Sequence, residues 1–144
     1  MTVSRICNRS AVVTNGDETI LVAAKRMARL SVGTLIVTDR ESGNHPIGIV
    51  TDRDVVVRCV AEQLDPAITP VSAVMTVPVK TVREDTPIET ALTSMASAGT
   101  RRLAVTNEDD ELVGVLALDD VIELLVEEAE TIGRLLTKQP PVWA

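Results

Sequence analysis

The 144-residue chain contains no phenylalanine and no tyrosine, and its single tryptophan, Trp143, stands next to the C-terminus. Single strands of nucleic acid are usually held by stacking bases on aromatic rings, and this chain has no such platform. A cage of rings around a quaternary ammonium group is excluded for the same reason. Histidine is nearly as scarce. His45 is the only one, and no Ser/His/Asp or Cys/His set can be built around it. Gly16 and Gly33 are isolated, and neither is followed by the Gly-Lys-Ser/Thr of a phosphate-binding loop. The expectation is a protein that binds rather than catalyses, with no cofactor and no metal centre. Cys7 and Cys59 lack metal-ligand spacing. They read as two reduced thiols of a cytoplasmic protein, with one disulfide as the alternative. No apolar run approaches the ~18 residues that span a bilayer, and the opening MTVSRICNRS has no hydrophobic core of the signal-peptide kind.

What the chain has in abundance is aliphatic, with 22 valines and 9 isoleucines. Its length suits one domain, or two small ones sharing a core. The formal charge of −7 argues against DNA or an anionic membrane surface as partner. That charge is unevenly placed. Residues 1–70 hold eight basic and eight acidic side chains, whereas residues 71–144 hold six and thirteen.

The chain is also written twice, and a repeat of this kind decides the architecture. An offset of 68 aligns Val3-Ser4 with Val71-Ser72, Asp17 with Asp85, Ile20 with Ile88, Ala23 with Ala91 and Met27-Ala28 with Met95-Ala96. It continues through Leu35 with Leu103 and Val37-Thr38 with Val105-Thr106; after a two-residue insertion, an offset of 66 aligns Gly48 with Gly114 and Asp54-Val55 with Asp120-Val121. Each copy reads as a β-rich stretch (Ser10–Thr14; Val77–Val82), then a helix with apolar residues at helical spacing. The first helix covers Ile20–Leu30 with Asp17 as its expected cap. In the second copy Thr86-Pro87-Ile88-Glu89 has the form of a capping box, and Gly99 ends the helix. Two apolar runs joined by a turn follow, Thr34–Thr38 with Ile47–Thr51 and Arg102–Thr106 with Leu112–Leu116, as in a β-hairpin. A closing helix runs from Asp52 to about Glu62, and from Asp119 to about Leu136. The fold class is therefore α/β (α+β), a β-α-β-β-α unit twice over. It divides into a first repeat at 1–63, a linker at 64–70, a second repeat at 71–136 and a tail at 137–144. One such unit buries too little surface to stand comfortably alone. The two sheets are expected to pack face to face, because runs such as Gly33–Val37 are apolar enough to be covered on both sides.

The sharpest local signal lies between the last strand and last helix of each copy. It reads Gly48-Ile49-Val50-Thr51-Asp52-Arg53-Asp54-Val55, then Gly114-Val115-Leu116-Ala117-Leu118-Asp119-Asp120-Val121. Taken with the tandem units, this pattern of Gly, an apolar residue, Ser/Thr and Asp resembles the cystathionine β-synthase (CBS) domain pair, or Bateman module. The resemblance covers nearly the whole chain and implies a pseudo-two-fold pair with an adenosine-nucleotide site in each cleft between the units. By that resemblance Asp54 and Asp120 match the position that accepts hydrogen bonds from the ribose hydroxyls. Thr51 matches the position that meets phosphate, whereas its counterpart Ala117 cannot. A carboxylate with two acceptor oxygens suits a vicinal diol, and a hydroxyl at a helix start suits an anion. Thr51-x-x-Asp54 is equally an ordinary capping box, and the two readings are compatible.

The resemblance further places Arg101-Arg102 where a basic residue of one repeat reaches the phosphate bound by the other, so Arg102 is expected to serve the Thr51/Asp54 site. A solvated surface pair is the other reading. Gly33-Thr34 stands at the matching place in the first repeat, so the Asp120 site is expected to receive no such arginine from the other repeat. The adenine slot of the Thr51/Asp54 site is assigned to Val12, Val32 and Gly33. The implied ligand is AMP, ADP or ATP, with S-adenosylmethionine or NAD as competitors. The implied assembly is a homodimer with helices at its interface, read by a regulated partner protein of unspecified identity. A ligand-free dimerisation scaffold is the alternative. The tail Pro140-Pro141-Val142-Trp143 could extend the contact.

Overall fold

The computed structural model describes residues 1–39 and 41–138; the expectation for Pro140–Trp143 lies outside them. The two repeats fold into two three-stranded sheets of identical topology. In the first, strand β1 (Val13–Asn15) pairs in parallel with β2 (Thr34–Thr38), which pairs antiparallel with β3 (Pro46–Thr51). In the second, β4 (Thr81–Arg83), β5 (Arg102–Thr106) and β6 (Leu112–Ala117) repeat the arrangement. Helices α1 (Ile20–Leu30) and α3 (Ile88–Ala98) provide the parallel crossovers. Helix α2 (Asp52–Val55) widens into a π turn over Val56–Val60, so the first closing helix stops short of Glu62. Its counterpart α4 runs unbroken over Leu118–Lys138.

The central strands are apolar on both faces because both faces are covered. Leu35 and Val37 of β2 point to one core with Ile20, Ala23 and Met27 of α1. Leu103 and Val105 of β5 do the same with Ile88, Ala91 and Met95 of α3. Between them, Ile36 of β2 and Ala104 of β5 face the opposite way and meet Val79 and Leu112, with Ile49 and Val115 packed alongside. This middle layer joins the two sheets face to face. The hairpin loops add a polar seam: Leu112 N–H donates to the Asn44 carbonyl at 2.8 Å, and Asn44 Nδ2 donates to the Leu112 carbonyl at 3.0 Å.

The repeats are also cross-stitched. Val3 and Cys7, which open the chain, are buried in the core of the second repeat. Val71, the counterpart of Val3 68 residues on, is buried with Val74 in the core of the first, and Met75, the counterpart of Cys7, packs against it. Backbone bridges follow the same exchange: Asn8 pairs with Val115 and Thr76 with Ile49. The glycine of each terminal pattern makes room for this crossing. A Cβ on Gly114 would stand 2.7 Å from the Asn8 carbonyl oxygen, and one on Gly48 would stand 3.1 Å from that of Thr76.

The crossing segments explain two helix starts that differ from expectation. Thr19, not Asp17, caps α1, its hydroxyl accepting from the Val22 N–H at 3.3 Å. Helix α3 has no side-chain cap, and Pro87 rather than Thr86 holds the cap position. The first donor of each helix is met instead by a crossing segment, Ile20 N–H by the Thr69 carbonyl at 2.9 Å and Ile88 N–H by that of Met1 at 3.2 Å. Of the later first-turn donors, Val22 N–H of α1 is met by the Thr19 cap, which has no side-chain counterpart in α3. Gly99 ends α3 in the left-handed conformation at φ 62°, which glycine adopts without strain.

Candidate functional site

Two clefts open along the seam between the sheets, related by the internal pseudo-symmetry. The first, of about 340 Å³, is built where β3 runs into α2. Thr51 is the cap of that helix, and the capping box is complete: its hydroxyl accepts from the Asp54 N–H at 3.1 Å while Asp54 Oδ2 accepts from the Thr51 N–H at 2.9 Å. Asp54 thus has its rotamer set by backbone. Arg58, one turn on, brings Nε to 3.9 Å from Asp54 Oδ1. The same guanidinium donates to the Val74 carbonyl at 3.1 Å, tying α2 to the crossing segment of the second repeat. Ile49, Thr51 and Asp54 form one wall of the cleft, and the other comes from the second repeat: Thr76, Pro78, Val79 and Lys80 before β4, and Ala98–Arg102 after α3.

The second cleft, of about 220 Å³, is its mirror in sequence. Val115, Ala117 and Asp120 form one wall; Asn8, Ala11 and Val32–Thr34 of the first repeat form the other. Asp120 Oδ2 accepts from the Ala117 N–H at 2.9 Å, the same bond that holds Asp54. The side-chain half of the box is missing, because Ala117 has no hydroxyl. Lys80, Arg101 and Arg102 of the first cleft correspond by the offset of 68 to Val12, Gly33 and Thr34. A Cβ on Gly33 would come within 2.9 Å of Asp52 Oδ2, so the Asp52 carboxylate would have to shift to admit a side chain there.

Comparison with known proteins assigns this arrangement. The CBS domain model matches residues 3–60 and again 71–127. The chain belongs to the CBS domain family. It is 34% identical over 125 residues to an uncharacterised 17.7 kDa protein of Acidianus ambivalens, an alignment that covers 87% of this chain and 73% of that one. It is 27% identical to an uncharacterised protein of Methanopyrus kandleri, covering 86% of this chain and 62% of the relative, so it spans about six-tenths of that protein. Among solved structures, a CBS domain protein of Pyrobaculum aerophilum complexed with AMP superposes with a TM-score of 0.77 at 30% identity, covering 90% of this chain and 99% of that one.

Within this CBS pair the structure gathers Thr51, Asp54, Arg101 and Arg102 into one cleft. It does not gather Val12, Val32 and Gly33 with them. Val32 and Gly33 line the Asp120 cleft instead, and Val12 packs against the first core without lining either. The reason is the cross-stitch. The Thr76–Ile49 bridge lays residues 76–80 against the Asp54 wall, so each cleft takes its two walls from different repeats. Gly33 and Thr34 of the first repeat bring no arginine to the Asp120 cleft, but Arg102, of the same repeat as Asp120, lines both clefts. Arg101 lines the Asp54 cleft and pairs with Asp119 at 3.4 Å, both side chains being largely exposed. Lys80, Thr76 and Arg58 were not singled out from sequence. Carrying Val12 across the offset, rather than keeping it within its own repeat, leads to Lys80.

Proposed function

We propose that this CBS pair is a regulatory module that binds an adenosine nucleotide of the AMP, ADP or ATP type in the Asp54 cleft and acts through a homodimer. The observation that carries this reading is one oriented carboxylate, Asp54, in the same cleft as three cations, Lys80, Arg101 and Arg102. Asp54 retains lone pairs beyond the one given to Thr51, enough to accept from both hydroxyls of a ribose. The Thr51 hydroxyl uses its oxygen to cap α2 and keeps its own proton to donate to phosphate. The arginine forks suit phosphate oxygens, and the lysine adds a mobile point charge. Ile49 and Val79 offer aliphatic faces for the base. The Pyrobaculum relative complexed with AMP supports this choice of ligand.

Calorimetric titration of the full chain with AMP, ADP, ATP, S-adenosylmethionine and NAD tests it. An adenine nucleotide is expected to bind, Asp54→Ala to remove tight binding, and Asp120→Ala to change it little. Equal losses in the two variants refute the assignment to the Asp54 cleft. If none of the five binds below about millimolar, which corresponds to only about 4 kcal/mol, the sensor reading is lost.

The scaffold reading has an observation of its own. Val56, Val57 and Val60 on the first closing helix are 58%, 48% and 63% exposed. Ile122, Leu125, Val126, Ile132, Leu135 and Leu136 along α4 are likewise exposed. Aliphatic surface of this extent marks an interaction face. Sedimentation with and without nucleotide separates the readings, since a scaffold dimerises identically in both.

A further inference from the structure

Arg102 is the one residue that lines both clefts, and among the described residues it is the only cation lining the Asp120 cleft. It opens β5, where its cross-strand neighbour is Ala117 of the Asp120 cleft. Its side chain is exposed, and among the described residues no hydrogen bond or ion pair holds the guanidinium, in contrast to Arg101 on Asp119. Its counterpart Thr34 opens β2 opposite Thr51 but lines only the Asp120 cleft. The threonine is too short to serve two sites. One long cation therefore stands on the ridge between two carboxylate-bearing clefts. A guanidinium fork that closes on one phosphate group has no second fork for another.

We propose that the two clefts share Arg102, so that an anionic nucleotide in the Asp54 cleft withdraws it from the Asp120 cleft and the two sites oppose each other. This rests on the nucleotide reading of the Asp54 cleft. Filling that cleft leaves its neighbour with the Asp120 carboxylate and no cation, which repels a second phosphate. The coupling is reciprocal, as any linkage between two binding equilibria must be.

The test is calorimetric, on the full chain with AMP as probe. Wild type is expected to take one AMP tightly and a second at least roughly a thousandfold more weakly, because the Asp120 cleft lacks Lys80, Arg101 and the Thr51 hydroxyl as well as the withdrawn Arg102. Asp54→Ala frees Arg102, so the Asp120 cleft of that variant is expected to bind AMP roughly tenfold better than wild type binds its second molecule. Adding Asp120→Ala to Asp54→Ala removes that binding. Thr34→Arg gives each cleft its own arginine and is expected to abolish the opposition; Thr34 Oγ1 has no hydrogen bond to lose. Circular dichroism checks that this variant folds, and Thr34→Lys replaces it if it does not. Two equal, independent AMP events in wild type overturn the sharing while leaving the nucleotide reading intact. So does an Asp120-cleft affinity that is the same with Asp54 present or replaced. A chain that binds no AMP, ADP or ATP overturns both.

Discussion

Asp54 has two duties in this reading, and Asp54→Ala separates them. In the unliganded chain its carboxylate closes the capping box by accepting from the Thr51 N–H at 2.9 Å. The other half of the box survives the substitution, because the Thr51 hydroxyl accepts from the backbone N–H of residue 54. The ion pair with Arg58 is long, at 3.9 Å, and the arginine is half exposed, so solvent reduces it to a minor contribution. The loss of stability is then that of one hydrogen bond, about 1 kcal/mol, or about 3 °C in melting temperature for a chain of this size. Binding loses far more. Two ribose hydroxyls donating to a charged acceptor are worth about 1.5–3 kcal/mol each, so affinity is expected to fall by a factor of about 10² to 10⁴. The assay is a pair of measurements on the same preparation, thermal unfolding without ligand and calorimetric titration with AMP. Asp54→Asn refines it, since the amide oxygen can still accept from Thr51 while the charge is gone. A variant that loses stability but binds AMP as wild type does would show that Asp54 is a cap and nothing more.

Four further outcomes follow from other parts of the fold. Gly114→Ala drives a methyl to within 2.7 Å of the Asn8 carbonyl and is expected to cost about 1–3 kcal/mol in denaturant unfolding. Gly133→Ala, on α4 with nothing nearby, is expected to gain up to about 1 kcal/mol. Burial pushes the Glu18 carboxyl upward, but the hydrogen bond from Arg26 at 2.6 Å and the Asn15 N–H outweigh it and hold it below the ordinary glutamate value of 4.5. Its stabilising contribution is therefore full above pH 4.5 and is lost as pH falls through the lowered folded-state value. Acid titration of wild type against Glu18→Gln checks this; curves that stay parallel below pH 4.5 refute it. Cys7 and Cys59 are both buried as free thiols, and burial pushes Cys7 above the ordinary thiol value of 9.0. Alkylation with iodoacetamide is expected to require unfolding at both, and fast labelling of the native chain at pH 8 contradicts that.

Much of this molecule was legible in the sequence because its signals are local. Helical spacing marks Ile20, Ala23 and Met27, and those side chains are the buried face of α1. The apolar runs of both hairpins fall on β2, β3, β5 and β6 within a residue or two. The terminal pattern located Thr51, Asp54 and Asp120 at helix starts, where backbone geometry alone aims the carboxylates. What sequence spacing does not carry is which wall faces which. Val3 reads as the start of the first repeat, yet it is buried in the second core, and nothing in its neighbours encodes that choice. The misplacement of Val32 and Gly33 follows from the same gap. The closing π turn at Val56–Val60 was missed because an i→i+5 turn leaves no distinct apolar period in five residues.

The glycines of the two terminal patterns connect these observations. Gly48 and Gly114 stand on β3 and β6, the strands that lead into the helices of Asp54 and Asp120, each three residues ahead of the residue (Thr51 or Ala117) that precedes α2 or α4, and each is crossed closely by the other repeat's leading segment. The glycine therefore selects the partner wall, and the aspartate is the group that wall is brought to face. Neither repeat by itself contains a complete cleft: Asp54 without residues 76–102 has no cation of the set Lys80, Arg101 and Arg102. Duplication alone would have produced two equal clefts. Divergence at the four positions corresponding to Thr51, Lys80, Arg101 and Arg102 has instead made one cleft cationic and left the other dependent on its neighbour's arginine. The asymmetry of net charge between the halves is opposite to the asymmetry of the clefts. The second repeat is the acidic one, yet it supplies all three cations to the Asp54 cleft, because the crossing hands its basic wall to the first repeat.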